Sequence, residues 1–436
     1  MNLDLTKIKK VFFLGVGGIG ISAIARMFLL EGKEVLGSDI SKNEVMMELK
    51  NLGAKMFMGQ DLSFIPADID LIIYTIAIPR YDLKFFEELN NVFHIPVVSY
   101  PQMLGIVTKN KYTIAVSGTH GKTTTTAMIA KVLVDLGRDP SVIVGSFLKD
   151  YKSNFIAGKS EFFVVEACEY ERSFLNIHPK VLVITNIEAD HLDYYKDLAD
   201  IQNAFKEMML QTDGVVIYNE EDEHVKEIVE EYTGNKISYG SYIEELPKLS
   251  VPGIHNRKNA ACALALADAL SLNKEDAKNS LQNFLGTWRR LDRKGETKEG
   301  TIVYDDYAHH PTEIQASIQG LRELYPVGTK KITIIFQPHL YSRTKALFDD
   351  FVKSFKGADQ ILLLPIYFAR EQNDPTVSSE KLAMAMCMEG ENVQAFPDFA
   401  SAEAAVSALN LGSSDVLVTM GAGEAYKIGD KLLVKV

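Results

Sequence analysis

Short runs of apolar residues alternate with amphipathic stretches along most of this chain. From Val11 to about Leu104, the apolar runs VFFLG, EVLGSD, AKMFMG, DLIIYTI and IPVVSY are separated by helical patterns such as ISAIARMFLLEG and NEVMMELKNLG. Strands that alternate with helices form parallel sheets with helices on both faces. The pattern therefore predicts a doubly wound, Rossmann-like α/β domain at the start of the chain.

The same alternation continues in two further segments. Lys111 opens the second, which we extend to about Lys294, and the third runs from about Gly295 to Val436. At roughly 150 residues per domain, a chain of 436 residues holds about three domains. We predict an α/β protein with domains at 1–106, 107–294 and 295–436, each built from alternating strands and helices.

Composition narrows the class of protein. A hydrophobic content of 47% and a net charge of −12 are typical of an acidic globular protein, and they argue against nucleic-acid binding, which needs basic surfaces. Cys168, Cys262 and Cys387 have no CxxC spacing, so we expect neither disulfides nor a zinc site, and the cytoplasm fits best. No stretch reaches about 18 uninterrupted apolar residues, which predicts no membrane span. We expect a monomer or weak dimer.

The segment Lys111–Thr126, KYTIAVSGTHGKTTTT, is the strongest chemical motif. A strand, a glycine-rich loop and a helix start direct backbone N–H groups and the positive end of a helix dipole at one point, which suits a nucleotide triphosphate. Lys122 would reach the terminal phosphates, and the hydroxyl of Thr123 would hold Mg²⁺. The loop is shorter than the standard GxxxxGK[ST] motif, which would need glycine at the position of Val116. The alternative to a phosphate-binding loop is an ordinary glycine-containing turn before a helix.

A second glycine motif opens the first domain. Gly15, Gly17, Gly18 and Gly20, with Ile19 between the last two, satisfy GxGxxG between a strand and a helix, and Asp39 ends the next strand at about the expected distance. Alone, this spacing indicates NAD or FAD. The same turn can bind any ligand with a diphosphate, and Asp39 can also be a solvated strand end.

Polar residues follow the strands of the second segment. Glu166 ends one strand, and Asp190, His191 and Asp193 follow another in TNIEADHLD. Because the carboxyl ends of parallel strands flank the phosphate loop, these groups are placed for divalent cations, although histidine is an unusual ligand for Mg²⁺.

Two amides and two arginines precede the third segment. Asn256 and Asn259 share one face of an alanine-rich helix and could read a base edge; alternatively, Asn256 is an N-cap. Arg289 and Arg290 could clamp phosphate or be surface charge.

The third segment repeats the pattern of polar strand ends. Three strands end in polar clusters, which we expect to face one cleft; helix caps or packing histidines are the alternative for each. The clusters are Asp305, Asp306, Tyr307, His309 and His310; then His339, Tyr341 and Arg343; then Gly421 and Gly423.

With these motifs assembled, the chain closely resembles the Mur ligases of peptidoglycan synthesis over nearly its whole length. The matching stretches are GVGGIGIS, SGTHGKTTTT, EACEYERSFL, TNIEADHLDYY, GIHNRKNA, RRLD, DDYAHHPTEI, FQPHLYSRT and MGAGEAYKIG. The nearest likeness is to the branch that adds L-alanine to UDP-N-acetylmuramate. The resemblance implies a Rossmann-like domain for the UDP-sugar, a central P-loop-type ATPase domain with a parallel sheet, and a Rossmann-like C-terminal domain that closes over the site. It also implies that the first glycine turn binds the UDP diphosphate and that no hydride is transferred.

The resemblance implies ATP and Mg²⁺ as cofactors, an acyl-phosphate intermediate, and attack by the amine of L-alanine. The implied ATP-binding residues are Gly118, Thr119, His120, Gly121, Lys122, Thr123, Thr124, Asn256, Asn259, Arg290 and Asp306. Thr123 and Glu166 would serve one Mg²⁺ and His191 a second. Lys122, His191, His309, His310 and Arg343 are the implied catalytic residues, with one histidine of the HHP pair assisting deprotonation of the amine.

Four positions depart from the pattern of many relatives. They are Gln60 in place of histidine, Leu340 in place of arginine, Glu424 in place of aspartate, and Phe205 where several Mur ligases carry a modified lysine. Other hypotheses are a related ligase that adds a recycled tripeptide, an NAD-dependent oxidoreductase, and a nucleotide-binding regulator without catalysis.

Overall fold

The computed structural model describes residues 3–41, 43–368 and 371–434. The chain divides into two compact units, one formed by Met1–Leu249 with Lys258–Leu285 and the other by Ser250–Arg257 with Gly286–Val436. Two sheets lie in the first unit and a third lies in the second. The predicted architecture of three α/β regions with mainly parallel strands is confirmed.

The first sheet has five parallel strands in the order β3-β2-β1-β4-β5. Its strands are β1 (Lys10–Leu14), β2 (Glu34–Asp39), β3 (Lys55–Met58), β4 (Leu71–Tyr74) and β5 (Val97–Ser99). The accompanying helices are α1 (Ile19–Leu30), α2 (Glu44–Asn51), α3 (Ala77–Tyr81), α4 (Leu83–Val92) and α5 (Tyr100–Thr108).

Strand β1 explains why apolar runs here are continuous instead of alternating. Val11 and Phe13 pack into one hydrophobic cluster, whereas Phe12 and Leu14 pack into another. Successive side chains of a strand point to opposite faces, so both faces of this sheet are buried.

The second sheet has seven strands in the order β12-β11-β10-β6-β9-β7-β8, and only its edge strand β8 is antiparallel. Its strands are β6 (Tyr112–Ser117), β7 (Ser141–Leu148), β8 (Ser153–Ile156), β9 (Phe162–Glu166), β10 (Val181–Ile184), β11 (Val215–Tyr218) and β12 (Asn235–Ser238). Its helices are α6 (Lys122–Asp135), α7 (Leu198–Leu210), α8 (Glu223–Glu230), α9 (Ile254–Ala269) and α10 (Lys274–Gln282). Short 3-10 helices follow β9 (Tyr170–Asn176) and β12 (Gly240–Ile243), and another lies between β3 and β4 of the first sheet (Leu62–Phe64).

The third sheet has six strands in the order β13-β14-β18-β15-β16-β17, with β13 antiparallel at the edge. Its strands are β13 (Asp292–Glu296), β14 (Ile302–Asp306), β15 (Lys331–Phe336), β16 (Gln360–Leu363), β17 (Val393–Ala395) and β18 (Asp415–Met420). Its helices are α11 (Pro311–Leu324), α12 (Tyr341–Ala346), α13 (Phe348–Lys353), α14 (Ser379–Met388), α15 (Phe399–Ala408) and α16 (Tyr426–Leu432). Strand β13 spans the boundary that the sequence placed at residue 294.

Strand order fixes where ligands can bind. In the second sheet β6 lies between β9 and β10, so the chain leaves β6 toward one side and later crosses to the other. Such a reversal opens a crevice at the carboxyl end of the strand. The loop GTHGKT starts at that end of β6.

Within the first unit, α5 packs tightly against the 3-10 helix Tyr170–Asn176. A Cβ atom at Gly105 would lie 2.2 Å from the backbone carbonyl oxygen of Asn176. We expect Gly105→Ala to lower the free energy of unfolding by about 1–3 kcal/mol, because neither backbone can move aside cheaply.

Gly320, which also lies inside a helix, provides the matched control. The nearest atoms to a Cβ there are 3.5 Å away, so Gly320→Ala is expected to be neutral or to stabilise by about 0.5–1 kcal/mol. Urea unfolding of both variants measures the difference. Equal effects would contradict the close contact at Gly105.

Among the described residues, no helix is both long enough and apolar enough to cross a membrane.

Candidate active site

The loop between β6 and α6 needs glycine at two positions. Gly118 has a φ of 131° and Gly121 a φ of 84°, in the region that favours glycine. A Cβ at Gly118 would lie 2.1 Å from the hydroxyl oxygen of Thr185, and one at Gly121 would lie 2.6 Å from Oδ1 of Asn259. Both the backbone angles and the close packing therefore explain the GTHG spacing.

The residues that follow β10 hold this loop in place. Asn186 accepts the N–H of His120 through Oδ1 at 2.8 Å and the N–H of Thr119 through its carbonyl oxygen at 3.0 Å. The hydroxyl of Thr185 donates to the carbonyl oxygen of His120 at 2.6 Å. The loop is thus preformed, and the first N–H groups of α6 lack intrahelical partners. Thr185 and Asn186 were not among the predicted site residues; their position directly after β10 was the available indication.

Lys122 is held by a carboxylate that was not among the predicted site residues. Its Nζ lies 2.9 Å from Oε2 of Glu169, which is 2% exposed, and donates to the carbonyl oxygens of Gly118 at 2.5 Å and Thr119 at 3.0 Å. Burial acts to lower the pKa of Lys122, but the neighbouring carboxylates, Glu169 foremost, raise it above its ordinary value. The ammonium group is therefore retained. Glu169 was detectable as the first carboxylate after β9, three residues beyond Glu166.

Thr123 and Glu166 bring hard oxygen atoms together beside the loop. The Thr123 hydroxyl donates to Oε1 of Glu166 at 3.1 Å, while Oε2 of Glu166 accepts the N–H of Gly145 at 2.8 Å. The second bond fixes the carboxylate with one oxygen facing the threonine. A hydroxyl and a carboxylate oxygen fit a magnesium ion.

His191 lies among acidic groups of the same unit. Its Nε2 is 3.8 Å from Oε1 of Glu169 and 3.8 Å from Oδ2 of Asp190, and the Tyr170 ring centroid is 4.7 Å from that of the imidazole. Its φ of 55° is unusual for a residue other than glycine. Nearby, Arg80 donates to Asp193 at 2.7 Å, which ties α3 to this loop.

Asn259 contacts α6, since its Oδ1 accepts the Thr125 hydroxyl at 3.1 Å, and the same oxygen lies beside Gly121 of the loop. Asn256 is not an N-cap, because α9 already begins at Ile254. The side chain of Asn256 instead donates through Nδ2 to the carbonyl oxygen of Pro252 at 2.6 Å.

In the first sheet, Asp39 holds the glycine turn. Its Oδ2 accepts the N–H of Gly17 at 2.9 Å, and its Oδ1 accepts the N–H of Ser41 at 3.0 Å. Asn43 donates to the carbonyl oxygen of Gly17 at 3.1 Å. Asp39 is therefore more than a solvated strand end.

The two neighbouring arginines of the second unit differ in burial and in their partners. Arg289 is 5% exposed, pairs with Oδ2 of Asp305 at 2.8 Å, and donates to the carbonyl oxygens of Gly421 and Gly423. Both predictions for Arg289, a phosphate clamp or surface charge, are wrong, because this guanidinium ties β14 to the turn after β18. Arg290 remains 30% exposed, with Nη1 3.7 Å from Oε1 of Glu313.

Asp306 is buried at the end of β14. It accepts the N–H of Ala308 at 3.0 Å and the hydroxyl of Ser317 at 2.6 Å. Burial raises its pKa to about 6, although the Ser317 bond opposes the shift.

The two histidines that follow β14 have different partners. Nδ1 of His309 lies 3.0 Å from the carbonyl oxygen of Tyr307 and 3.3 Å from Oε2 of Glu313. Nδ1 of His310 accepts the N–H of Thr312 at 3.3 Å, so His310 caps α11, as the alternative allowed for one of these residues.

The three polar clusters of the third sheet are neighbours, whereas the single cleft that they were expected to face stays a prediction. The imidazole centroids of His309 and His339 are 5.9 Å apart, and Nη1 of Arg343 lies 3.4 Å from Nδ1 of His339. A Cβ at Gly421 would lie 2.5 Å from the carbonyl oxygen of Gln337. Because Gly421 follows β18 and Gln337 follows β15, this close approach shows that the ends of the two strands are in contact.

Three of the departing positions have local structural roles. Gln60 donates to Asp82 at 3.0 Å, and Phe205 is fully buried, with its ring centroid 5.2 Å from that of Phe174. Leu340 has a φ of 69° where it precedes α12.

Profiles of three consecutive domains match this chain. The descriptions are "Mur ligase family, catalytic domain" for residues 10–112, "Mur ligase middle domain" for 116–246, and "Mur ligase, glutamate ligase domain" for 289–423. The chain belongs to the Mur ligase family.

Curated relatives in the Mur ligase family are similar over their full length. The UDP-N-acetylmuramate--L-alanine ligase of Clostridium acetobutylicum is 39% identical, covering 100% of both chains. The enzyme of the same name from Clostridium kluyveri is 37% identical, covering 99% of this chain and all of the relative.

Solved Mur ligase structures agree with this fold. The UDP-N-acetylmuramate-alanine ligase MurC of Thermotoga maritima matches with a TM-score of 0.80 and 26% identity, covering 97% of this chain and 98% of the other. A murein peptide ligase from Psychrobacter arcticus matches with a TM-score of 0.69 and 21% identity, covering 98% of this chain and all of the other, which shows a shared fold.

Proposed function

We propose that this Mur ligase joins L-alanine to the lactyl carboxylate of UDP-N-acetylmuramate with the hydrolysis of ATP to ADP and phosphate, in peptidoglycan precursor synthesis. The observation that carries the proposal is the full-length similarity, at 37–39% identity, to enzymes named for this reaction. The preformed phosphate loop with a charged Lys122 supports the ATP requirement. Membership of a ligase family argues against the oxidoreductase hypothesis.

ATP is a co-substrate that we place at the loop after β6. Gly118 and Gly121 let the backbone approach the phosphates, and the first N–H groups of α6 point toward them. Lys122 would exchange Glu169 for the terminal phosphate oxygens, where its charge offsets the negative charge of the transferring group. We also assign Thr119 and His120 of the loop, and Thr124 on the first turn of α6, to the ATP site.

Thr123 and Glu166 would hold one Mg²⁺, and His191 a second. When bound, these ions neutralise phosphate charge as the carboxylate approaches. The carboxylates of Glu169 and Asp190 both lie 3.8 Å from the His191 imidazole. They make the electrostatic potential at the second position negative, which favours a cation.

The other substrates have separate elements. We assign the UDP diphosphate to the turn of Gly15, Gly17, Gly18, Ile19 and Gly20, which Asp39 supports. We assign the nucleotide to Asn256, Asn259, Arg290 and Asp306, and the amino acid and muramoyl group to His309, His310 and Arg343.

The reaction then has two steps. The lactyl carboxylate attacks the γ-phosphate of ATP, giving an acyl phosphate and ADP. The amine of L-alanine attacks the acyl carbon, and phosphate leaves with the electrons of the C–O bond. Exclusion of water protects the acyl phosphate. We propose that the chain works in the cytoplasm as a monomer or weak dimer.

The test is phosphate release from ATP in the presence of UDP-N-acetylmuramate and one amino acid at a time. We expect L-alanine to stimulate release and to be incorporated into a UDP-N-acetylmuramoyl product, which mass spectrometry detects. Omission of UDP-N-acetylmuramate should abolish the stimulation, since no carboxylate would be available for activation.

The same assay examines the alternative substrate. If L-alanine, glycine and L-serine all fail while a tripeptide stimulates release, the chain is a tripeptide-adding ligase instead. If no amine stimulates release, the regulator hypothesis replaces the proposed function.

A further inference from the structure

The adjacent histidines after β14 are fixed in opposite tautomers. Nδ1 of His309 faces two groups that can only accept, the carbonyl oxygen of Tyr307 at 3.0 Å and the carboxylate of Glu313 at 3.3 Å. Nδ1 must therefore carry the proton of the neutral ring. The lone pair of His309 is then on Nε2.

His310 has the reverse arrangement. Its Nδ1 accepts the backbone N–H of Thr312 at 3.3 Å, at the N-cap of α11. The proton of the neutral ring is therefore on Nε2, and the lone pair is used in the cap. His310 cannot accept a proton in this state without giving up that bond.

Glu313 fixes the orientation of His309 from two sides. Its Oε2 accepts the backbone N–H of His309 at 3.0 Å and also faces Nδ1 of the ring, while Oε1 lies 3.7 Å from Nη1 of Arg290. The carboxylate is on the first turn of α11 and its side chain is only 14% exposed. A carboxylate that orients an imidazole through Nδ1–H leaves Nε2 to exchange protons.

The remaining neighbours keep His309 uncharged. The Tyr307 ring centroid lies 5.3 Å from the His309 centroid and that of His339 lies 5.9 Å away, with Arg343 beyond. Burial, the largest cause, lowers the pKa of His309 to about 3; Glu313 opposes the shift and Arg343 adds to it. The imidazole is therefore uncharged before substrates bind, and it accepts a proton readily only when a negative charge, such as that of an acyl phosphate, lies beside it and raises this pKa.

We propose that Nε2 of His309 accepts the proton of the attacking amine, and that Glu313 is a positioning residue that sets the tautomer and orientation of His309. This inference rests on the proposed function, and it selects between two histidines that the sequence left equivalent.

The attacking nitrogen loses two protons in turn. The ammonium group of the amino acid loses its first proton to solvent, which frees the attacking lone pair. The second proton passes from nitrogen to Nε2 as the C–N bond forms. The C–O bond then breaks, its electron pair leaves with phosphate, and Nε2 returns its proton to that phosphate.

The test separates activation of the carboxylate from attack by the amine. Hydroxylamine is uncharged near neutral pH and traps acyl phosphates as hydroxamates without a base. We expect His309→Asn, which retains an N–H donor toward Tyr307, to lower the alanine reaction by about 10²-fold or more. Hydroxamate formation from UDP-N-acetylmuramate and ATP should stay close to the wild-type rate.

Glu313→Gln should show a smaller loss with the same selectivity for alanine over hydroxylamine. Glu380→Gln is the matched control, because Glu380 is an exposed acid in the first turn of α14, and both reactions should be unchanged. A merely structural role of Glu313 would lower both reactions together.

Three results would overturn the inference. They are full activity of His309→Asn, equal loss of both of its reactions, or an alanine-selective loss in His310→Asn but not in His309→Asn. Failure of the wild type to form either product would instead reject the proposed function.

Discussion

Lys122→Ala is expected to lower ATP turnover by about 10³-fold or more, because the transferring phosphoryl group loses its closest fixed positive charge. The binding of UDP-N-acetylmuramate should remain near the wild-type level, since we assign it to the turn after β1, on a different sheet. Steady-state phosphate release gives the first quantity and isothermal titration calorimetry the second. Comparable loss of both would mean that the two ligand sites are not separate.

A second variant keeps this test independent of folding. Lys122→Ala leaves Glu169, which is 2% exposed, without its cation, and an unpaired buried carboxylate is destabilising. Lys122→Ala combined with Glu169→Gln removes that charge. We expect the double variant to recover stability without recovering turnover.

Arg289→Met is expected to lower the free energy of unfolding by about 3–5 kcal/mol. The substitution leaves Asp305, which is 1% exposed, without its countercharge, and it removes the donors to the carbonyl oxygens of Gly421 and Gly423. Chemical denaturation monitored by circular dichroism measures the change.

Two comparisons make the Arg289 prediction specific. Arg289→Met combined with Asp305→Leu should recover much of the loss, because no unpaired charge remains buried. Arg290→Met should cost less than about 1 kcal/mol, since Arg290 is 30% exposed and its pair with Glu313 spans 3.7 Å. A loss at Arg290 as large as that at Arg289 would contradict the structural role assigned to the buried guanidinium.

The sheets could be predicted because their strands are local sequence features. In β1 every residue from Val11 to Leu14 is fully buried, so a continuous apolar run marks a strand covered on both faces. Glycine loops after β1 and β6 mark where such strands turn into helices. These properties depend on neighbouring residues alone.

The different environments of Arg289 and Arg290 could not be predicted in the same way. The two residues are identical and adjacent, but the partners of Arg289 are Asp305, 16 positions away, and Gly421, 132 positions away. Only the order of strands in the third sheet brings them together. The order of the strands cannot be deduced from the spacing of residues in the sequence.

The site could be predicted as a set of residue types but not as a set of protonation states. HHP indicates two imidazoles near a strand end, and both remain equivalent until their Nδ1 partners are known. Likewise, Glu169 is one of several carboxylates after β9, and its pairing with Lys122 depends on the neighbouring strand β6.

The pair of Lys122 and Glu169 also bears on how ligand affinity should be interpreted. In the chain without nucleotide, the lysine already has a carboxylate and two carbonyl oxygens as partners. ATP must replace these interactions, so its apparent dissociation constant includes the free energy of separating an existing ion pair. A thermal-shift titration, in which a ligand at 100 times its dissociation constant stabilises by about 2.7 kcal/mol, would report that net affinity and not the full strength of the phosphate contacts.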